Sequence, residues 1–537
     1  MIHGKIQRAE AGVFRDDLGK YLKPACLVAL IAGFFLSCHG PVRIEPPAGP
    51  AVELPLIADE ILGDPDSFYY INTSDYPKNR QALPVGVFDS GTGGLTVLEA
   101  ILTTDEFDNR TRRPGGDGRP DFAAERFIYL ADQANMPYGI YSSEGKTSLL
   151  VEHVIKDAQF LMSDKYYPDG SALTWTTGKD PVKAVVVACN TATAYGMPYL
   201  EAFMSRSGTG LKVIGVIDAG ARGALQLFQK GEAGSIGVLA TVGTVASGGY
   251  EKTLKRLAAE TGHEGELQVY SQGGQGIAEA IDGERDFVDK SLTAPRDSYR
   301  GPSLTAGDFQ IRTSLLPAYN FRFDGNKMLC DSDDPYDCAV MQINDPGNYM
   351  RFHLVSLLET MRRTPGALPL KALVLGCTHF PYLSGTIRQA LKELYDFRQE
   401  GEYRYRPLMA EEIRLVDPSL NVAVELFNHL TACGLFVRTE AGGTSEFYIS
   451  VPNTGNPDVR VDGNNRFTYD YKYGRTAGEI QQYVRAVPFS RANISDETFQ
   501  RLAAGTPLTY EAIRRFHAEN DKAAGMPDAL KIVHESP

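Results

Sequence analysis

The sequence predicts an α/β fold of two pseudo-symmetric lobes, each a parallel sheet flanked by helices, and two observations carry that reading. Strand-like apolar runs alternate with helical patterns along most of the chain, the arrangement that gives a parallel sheet covered on both faces. Two motifs also recur in the same order. A Gly-Val strand with its turn stands at GVFDSGTGG (86–94) and again at GVLATVGTV (237–245). A Lys-Ala strand ending in cysteine stands at VKAVVVACNTATAYG (182–196) and again at LKALVLGCTHFPYL (370–383). One echo between hydrophobic strands is weak, but two in one order indicate related lobes.

The elements follow in chain order. Lys20 and Lys23 precede CLVALIAGFFLS, twelve uncharged residues followed by Cys38. Basic residues, a short apolar run and a small residue before a break describe an export signal (1–38), too short to span a membrane. Its FLSC ending resembles a bacterial lipobox, with Cys38 as the lipidated residue. PVRIEPPAGPAVELP then reads as a Pro-rich tether (39–83). The first lobe (84–212) opens with a buried strand at 85–88 and a glycine turn at 91–94. A strand at 126–130, a helix at 146–162, a strand at 184–188 and a helix after Thr193 continue it. The same grammar restarts at 211–217 and at 235–240, giving a second lobe over 213–376. Gly86 and Cys189 are 103 residues apart, Gly237 and Cys377 140. The second lobe therefore carries an insertion, placed at 283–365, where the sequence is polar and aperiodic. The chain returns to the first lobe over 377–452, and 453–537 is a C-terminal extension in which no chemistry is legible.

A 537-residue chain that is 43% hydrophobic and 23% charged is globular and has room for more than one domain. Its net charge of -13 argues against a nucleic-acid partner, which would require a basic face. Among the seven cysteines, Cys330 and Cys338 lie in CDSDDPYDC and can pair if the protein is exported. No metal site is expected. Cys377 and His379 supply only two ligands, and Cys189 has no ligand-type neighbour.

The repeated cysteine has several readings. A cysteine at a buried strand is as often a small hydrophobe as a reactive group. A Cys–His dyad stays open, because such partners meet in space and not in sequence. DSGTGG lacks the lysine and spacing of a phosphate loop. The symmetry supports another use. Each cysteine ends a parallel strand and precedes a helix, where backbone N–H groups and the helix dipole favour a thiolate. Two facing lobes would set two thiols across a cleft. One could then take a proton from a carbon while the other delivers a proton to the opposite face, with no cofactor.

At these residues the chain resembles a known family. VGVFDSGTGGLTVL, YLADQANMPYG, VVVACNTATA, GVLATVGTVASGGY and LVLGCTHFPYL are similar to the glutamate racemases, within the aspartate/glutamate racemase superfamily, over 84–451 with insertions. The resemblance implies an active site at the interface of two α/β lobes, with Cys189 and Cys377 as the two acid/base residues. It implies that Cys189 faces the α-hydrogen of the D-form and Cys377 that of the L-form. It further implies substrate contacts from Asp89, Ser90, Tyr138, Gly139, Asn190, Thr191, Thr378 and His379. Ser90, Thr191 and Thr378 offer hydroxyl donors to a carboxylate, the Pro-Tyr-Gly turn offers backbone N–H, and Asp89 and His379 can set each thiol's protonation. Two departures stand out. SQGGQGIAEAIDGE replaces a stretch that often contains Ala-Cys-Pro, leaving Asp282 or Glu284 near its acidic position, and Asp218 follows VIGVI.

The expected activity is interconversion of L- and D-glutamate, a step toward cell-wall precursors, with glutamate as the small-molecule partner. Aspartate racemisation and an inactive envelope lipoprotein that binds amino acids or peptides are the alternatives. The expected location is the cell envelope through a lipid anchor, with the cytoplasm as the alternative, and a homodimer is allowed.

Overall fold

A computed structural model describes residues 52–437 and 443–532. The signal 1–38, Cys38 and the start of the tether lie outside the described residues. Two large sheets, one in each lobe, organise the described residues, beside two short two-stranded hairpins. The first places β1 (Val85–Asp89) between β2 (Phe127–Ala131) and β3 (Ala184–Val187), with β4 (Lys212–Gly215) beyond β3. The strand Glu446–Pro452 lies parallel to β2, and Val484–Pro488 closes that edge in antiparallel pairing. The second sheet is wholly parallel. Met409–Val416 lies beside β9 (Leu370–Gly376), then come β5 (Gly234–Ala240) and β6 (Leu267–Gly273).

The two echoes prove to be neighbouring strands in each lobe. Gly86, Val87 and Phe88 of β1 lie beside Val185, Val186 and Val187 of β3. In the second lobe, 237–240 of β5 lies beside 373–376 of β9. The strands are continuously apolar because both faces are covered. In the first sheet Val85, Val87 and Val186 pack with the helices Pro418–Ala432 and Pro507–Glu519. Phe88, Val185 and Val187 pack on the other face with Thr147–Met162 and Asn190–Ser207. The second sheet divides likewise, Leu373 and Leu375 toward the helix Pro346–Arg363 and Ala372 and Val374 toward Val216–Leu225 and Gly249–Glu260.

The lysine of each Lys-Ala copy meets a glutamate. Lys183 pairs with Glu125, both fully buried, and also donates to the carbonyls of Gln81 and Leu435 at 3.0 Å. Glu125 in turn accepts from the Val437 N–H at 2.9 Å. Lys371 pairs with Glu232 at 2.7 Å, each about a third exposed.

Several boundaries differ from the sequence reading. The stretch 52–83 is no tether: the helix Leu56–Gly63 buries Ile57, Ala58 and Ile61, and the Tyr76 hydroxyl donates to the Val182 carbonyl at 2.7 Å. This helix of about two turns is masked in sequence by its proline-rich neighbours. β4 still belongs to the first sheet, and Val216–Leu225 carries the chain across. The return comes with Pro418–Ala432, which packs on the first sheet, and not at 377, because Cys377, Ser384–Asp396 and Met409–Val416 all build the second lobe. The insertion ends before Pro346–Arg363, whose buried Leu354, Leu357 and Leu358 are second-lobe core. Within the insertion, β7 (Met328–Cys330) and β8 (Met341–Ile343) form a hairpin spanned by a Cys330–Cys338 disulfide. The extension contributes a sheet strand and packs its helices Asp496–Gly505 and Pro507–Glu519 on the first lobe. No helix among the described residues is long and apolar enough to cross a membrane.

Candidate active site

β1 and β3 end side by side, so Ser90 follows one strand where Cys189 follows the other. β5 and β9 end in the same way at Thr241 and Cys377. All four residues reach one cavity of about 450 Å³ between the lobes. The first lobe supplies Asp89, Ser90, Tyr138, Gly139, Cys189, Asn190 and Thr191 to its wall, and the second Cys377, Thr378 and His379. Both cysteines are free thiols and buried.

Cys189 caps the helix Asn190–Ser207. Its sulfur accepts the Ala192 N–H at 3.4 Å and lies 3.7 Å from the Ser90 hydroxyl. Burial first, and then the Asp89 carboxylate, push its thiol up, against the pull of the Ala192 N–H. Asp89 is itself raised by burial, although His379 and the Gly94 N–H oppose the shift. A raised carboxyl beside a thiol is the stronger base toward it. One Asp89 oxygen accepts from Gly94 N at 2.7 Å and from the Thr378 hydroxyl at 3.3 Å, while the other is buried with no partner.

Cys377 has a different neighbour, His379, with Nδ1 3.7 Å from its sulfur. The opposite ring nitrogen meets Asp282 Oδ2 at 3.2 Å. Burial disfavours a charged His379, but Asp282 outweighs it and holds the imidazole well above its ordinary range. The same contact, with help from Arg501, overcomes burial at Asp282 and lowers its carboxyl to about 2. Of the two acids left open by the sequence, Asp282 therefore faces the histidine. Gly93 permits this packing: a Cβ there would stand 2.4 Å from His379 Cε1. The pair has a pH window. A raised histidine contributes stability below about pH 6.5 that is lost as pH rises through its folded value. A lowered aspartate contributes above about pH 4 what is lost as pH falls toward 2. Denaturant unfolding of wild type against Asp282→Asn is expected to differ most between those limits, and a difference that is constant from pH 3 to 9 would contradict the pairing.

The remaining polar groups divide between backbone and side-chain roles. The Asn190 carbonyl accepts from the buried Tyr250 hydroxyl at 2.6 Å, which orients its amide nitrogen. The Thr191, Thr241 and Thr244 hydroxyls form a triangle of 2.8–3.2 Å contacts across the lobes. The Tyr138 side chain turns away from the cavity. Its hydroxyl sits 2.6 Å from Asp132 and 2.8 Å from Asp157, and burial followed by Asp132 raises Asp157 well above the carboxylate range. One hydroxyl proton can serve only one of two carboxylates, so Asp157 supplies its own. The Pro-Tyr-Gly turn thus meets the cavity with its backbone.

Sequence reasoning missed part of the wall. Gln275, Glu279, Phe287, Arg300 and Phe309 come from the second lobe and its insertion, and Tyr469 from the extension. Burial raises Glu279 to about 7. Gln275 and Glu279 lie within SQGGQGIAEAIDGE, where sequence reasoning singles out only Asp282 and Glu284, and the others sit in no motif; their meeting in a common cleft identifies them. Asp218, noted as unusual after VIGVI, lies elsewhere, paired with Arg256 at 3.1 Å on the surface.

No protein-family model matches the chain. It is similar to a glutamate racemase of Lactobacillus helveticus, 23% identical over 384 residues, which cover 72% of this chain and 92% of that protein. The glutamate racemases of Limosilactobacillus fermentum and Aquifex aeolicus are each 35% identical over 178 residues, a third of this chain. The chain spans about half the length of these two relatives, 50% and 52%. A glutamate racemase isoform of Bacillus anthracis aligns over 68% of this chain and 87% of its own at 22% identity, with a TM-score of 0.38. The fold class therefore rests on the strand order itself. The proteins to which the chain is similar are amino-acid racemases, a class of isomerase. The relatives are, in particular, glutamate racemases.

Proposed function

We propose that this chain interconverts L- and D-glutamate without a cofactor, using Cys189 and Cys377 as paired bases. The observation that carries the reading is the position of the two free thiols, at equivalent strand ends on one cavity wall and in different lobes. One thiolate removes the α-hydrogen as a proton and leaves a carbanion. The opposite thiol gives its proton to the other face, and the spent pair exchanges protons before the next turnover. Asp89 and Ser90 serve the Cys189 side, His379 the Cys377 side. The Asn190 amide, the Thr191 and Thr378 hydroxyls and the backbone of Tyr138 and Gly139 bind the two carboxylates and spread the charge of the carbanion.

Purified protein is expected to bring the circular dichroism of L-glutamate to zero and, in D₂O, to place deuterium at its α-carbon. The same on aspartate alone would move the substrate assignment, and neither on either amino acid would leave a binding protein. We also propose that Cys38 carries a lipid anchor, on the basis of the FLSC stretch after a short apolar run. A palmitate analogue is expected to label wild type and not Cys38→Ala, and equal labelling of both would overturn the anchor.

A further inference from the structure

We infer that Arg501, from the C-terminal extension, is a positioning residue that fixes Asp282 and through it aims His379 at Cys377; this rests on the two-cysteine reading. Arg501 lies on the helix Asp496–Gly505, which is capped by Ser495 and anchored in the first lobe by buried Phe499 and Leu502. Its guanidinium crosses to the second lobe. Nη2 donates to Asp282 Oδ1 at 2.7 Å and Nη1 to the Ile281 carbonyl. Nη2 also stands 3.3 Å from the Thr92 hydroxyl in the first glycine turn, and the Tyr382 ring lies 5.5 Å away.

This arrangement matters because Asp282 has two oxygens and two tasks. Oδ1 is held by Arg501, which leaves Oδ2 directed at His379 Nε2. That bond fixes the ring so that its other nitrogen meets the Cys377 sulfur. A carboxylate held on one side only would be free to turn, and the ring with it. Other charged groups surround the site: Glu279 and Glu284 lie close to Asp282, with Lys472 and Arg466 beyond Glu284. Among the described residues Arg501 is the one arginine or lysine in an ion pair with Asp282. Cys189 makes no hydrogen bond with any of these groups, and His379 reaches it only through Asp89. Arg501 therefore acts on one thiol of the two, and it does so from a segment that the repeated lobes do not include.

The test compares the rates at which iodoacetamide alkylates Cys377 and Cys189 at pH 7 in the full chain, read by mass spectrometry of the two peptides. In Arg501→Met the Cys377 rate is expected to fall about tenfold relative to Cys189, the effect of one unit of proton affinity. Arg501→Lys keeps the charge but not the fork and restores part of it. Asp282→Asn should lower the ratio at least as far, and adding Arg501→Met to it should change nothing more. An unchanged ratio, an equal fall at both cysteines, or additive losses in the double variant would each overturn the inference. The alkylation ratio needs no substrate. A wild type that exchanges no α-hydrogen would therefore sink the racemase reading and leave this test standing.

Discussion

Cys189→Ser and Cys377→Ser are each expected to lower racemisation by about 10³-fold or more, since a positioned acid or base contributes roughly 10²–10⁴-fold and serine ionises far less readily than cysteine. Net racemisation needs a proton both to leave and to arrive, so losing either thiol stops it. Partial reactions survive. Each variant keeps one competent base and should still eliminate a leaving group from a β-substituted or N-hydroxylated glutamate, in one enantiomer only. Cys189→Ser should act on the L-analogue and Cys377→Ser on the D-analogue. The two thiols differ in their surroundings, Asp89 and Ser90 beside one and His379 beside the other, so the residual rates need not be equal. Retention of the same enantiomer by both variants, or wild-type turnover in either, would return the cysteines to simple packing roles.

The second large effect is on stability. Lys183→Met is expected to cost about 3–5 kcal/mol, because it leaves the Glu125 charge buried without its cation. The neighbouring groups cannot compensate: Lys183 also holds the Gln81 and Leu435 carbonyls, and Glu125 holds the Val437 N–H. Lys371→Met, the same change in the other copy of the motif, should cost only about 0.2–1 kcal/mol, as is usual for a solvated ion pair. Urea titration of both variants separates the cases. Equal losses would mean that burial does not set the difference. A double change to Lys183→Met with Glu125→Leu should recover only part of the loss, since it removes the unpaired charge but leaves the Gln81 and Leu435 carbonyls and the Val437 N–H without these partners.

These two lysines also show how far the sequence could be read. Their shared Lys-Ala context revealed a repeated strand, because a strand and its turn are local patterns. Nothing local revealed that one copy lies at the centre of a packed lobe and the other at a rim. The motif residues around Cys189 and Cys377 were legible for the same reason, and they fall on one cavity wall. Lobe boundaries were not legible. β4 and β5 carry the same apolar pattern, and only pairing assigns Lys212–Gly215 to one sheet and Gly234–Ala240 to the other. The choice between Asp282 and Glu284 required a partner 97 residues from Asp282, and Arg501 lies 219 residues away. Contacts at such separations leave no trace in spacing. The extension looked chemically silent because its tyrosine and arginine residues have ordinary helical surroundings.

The strand Glu446–Pro452 lies inside the first sheet, between β2 and Val484–Pro488. Its position ties folding to the order of synthesis. β1, β2, β3 and β4 leave the ribosome early, yet β2 keeps an unpaired edge until the late strands arrive, and an unpaired edge invites pairing with other chains. Both crossings between the lobes must also be made before Tyr469 and Arg501 can reach the cleft. A nascent chain stalled after the second lobe would therefore carry both cysteines and most of the cavity wall while lacking two strands of its first sheet. Such a chain would leave the β2 edge open during translation, and it would acquire its finished cleft only after the helix Asp496–Gly505 had been made.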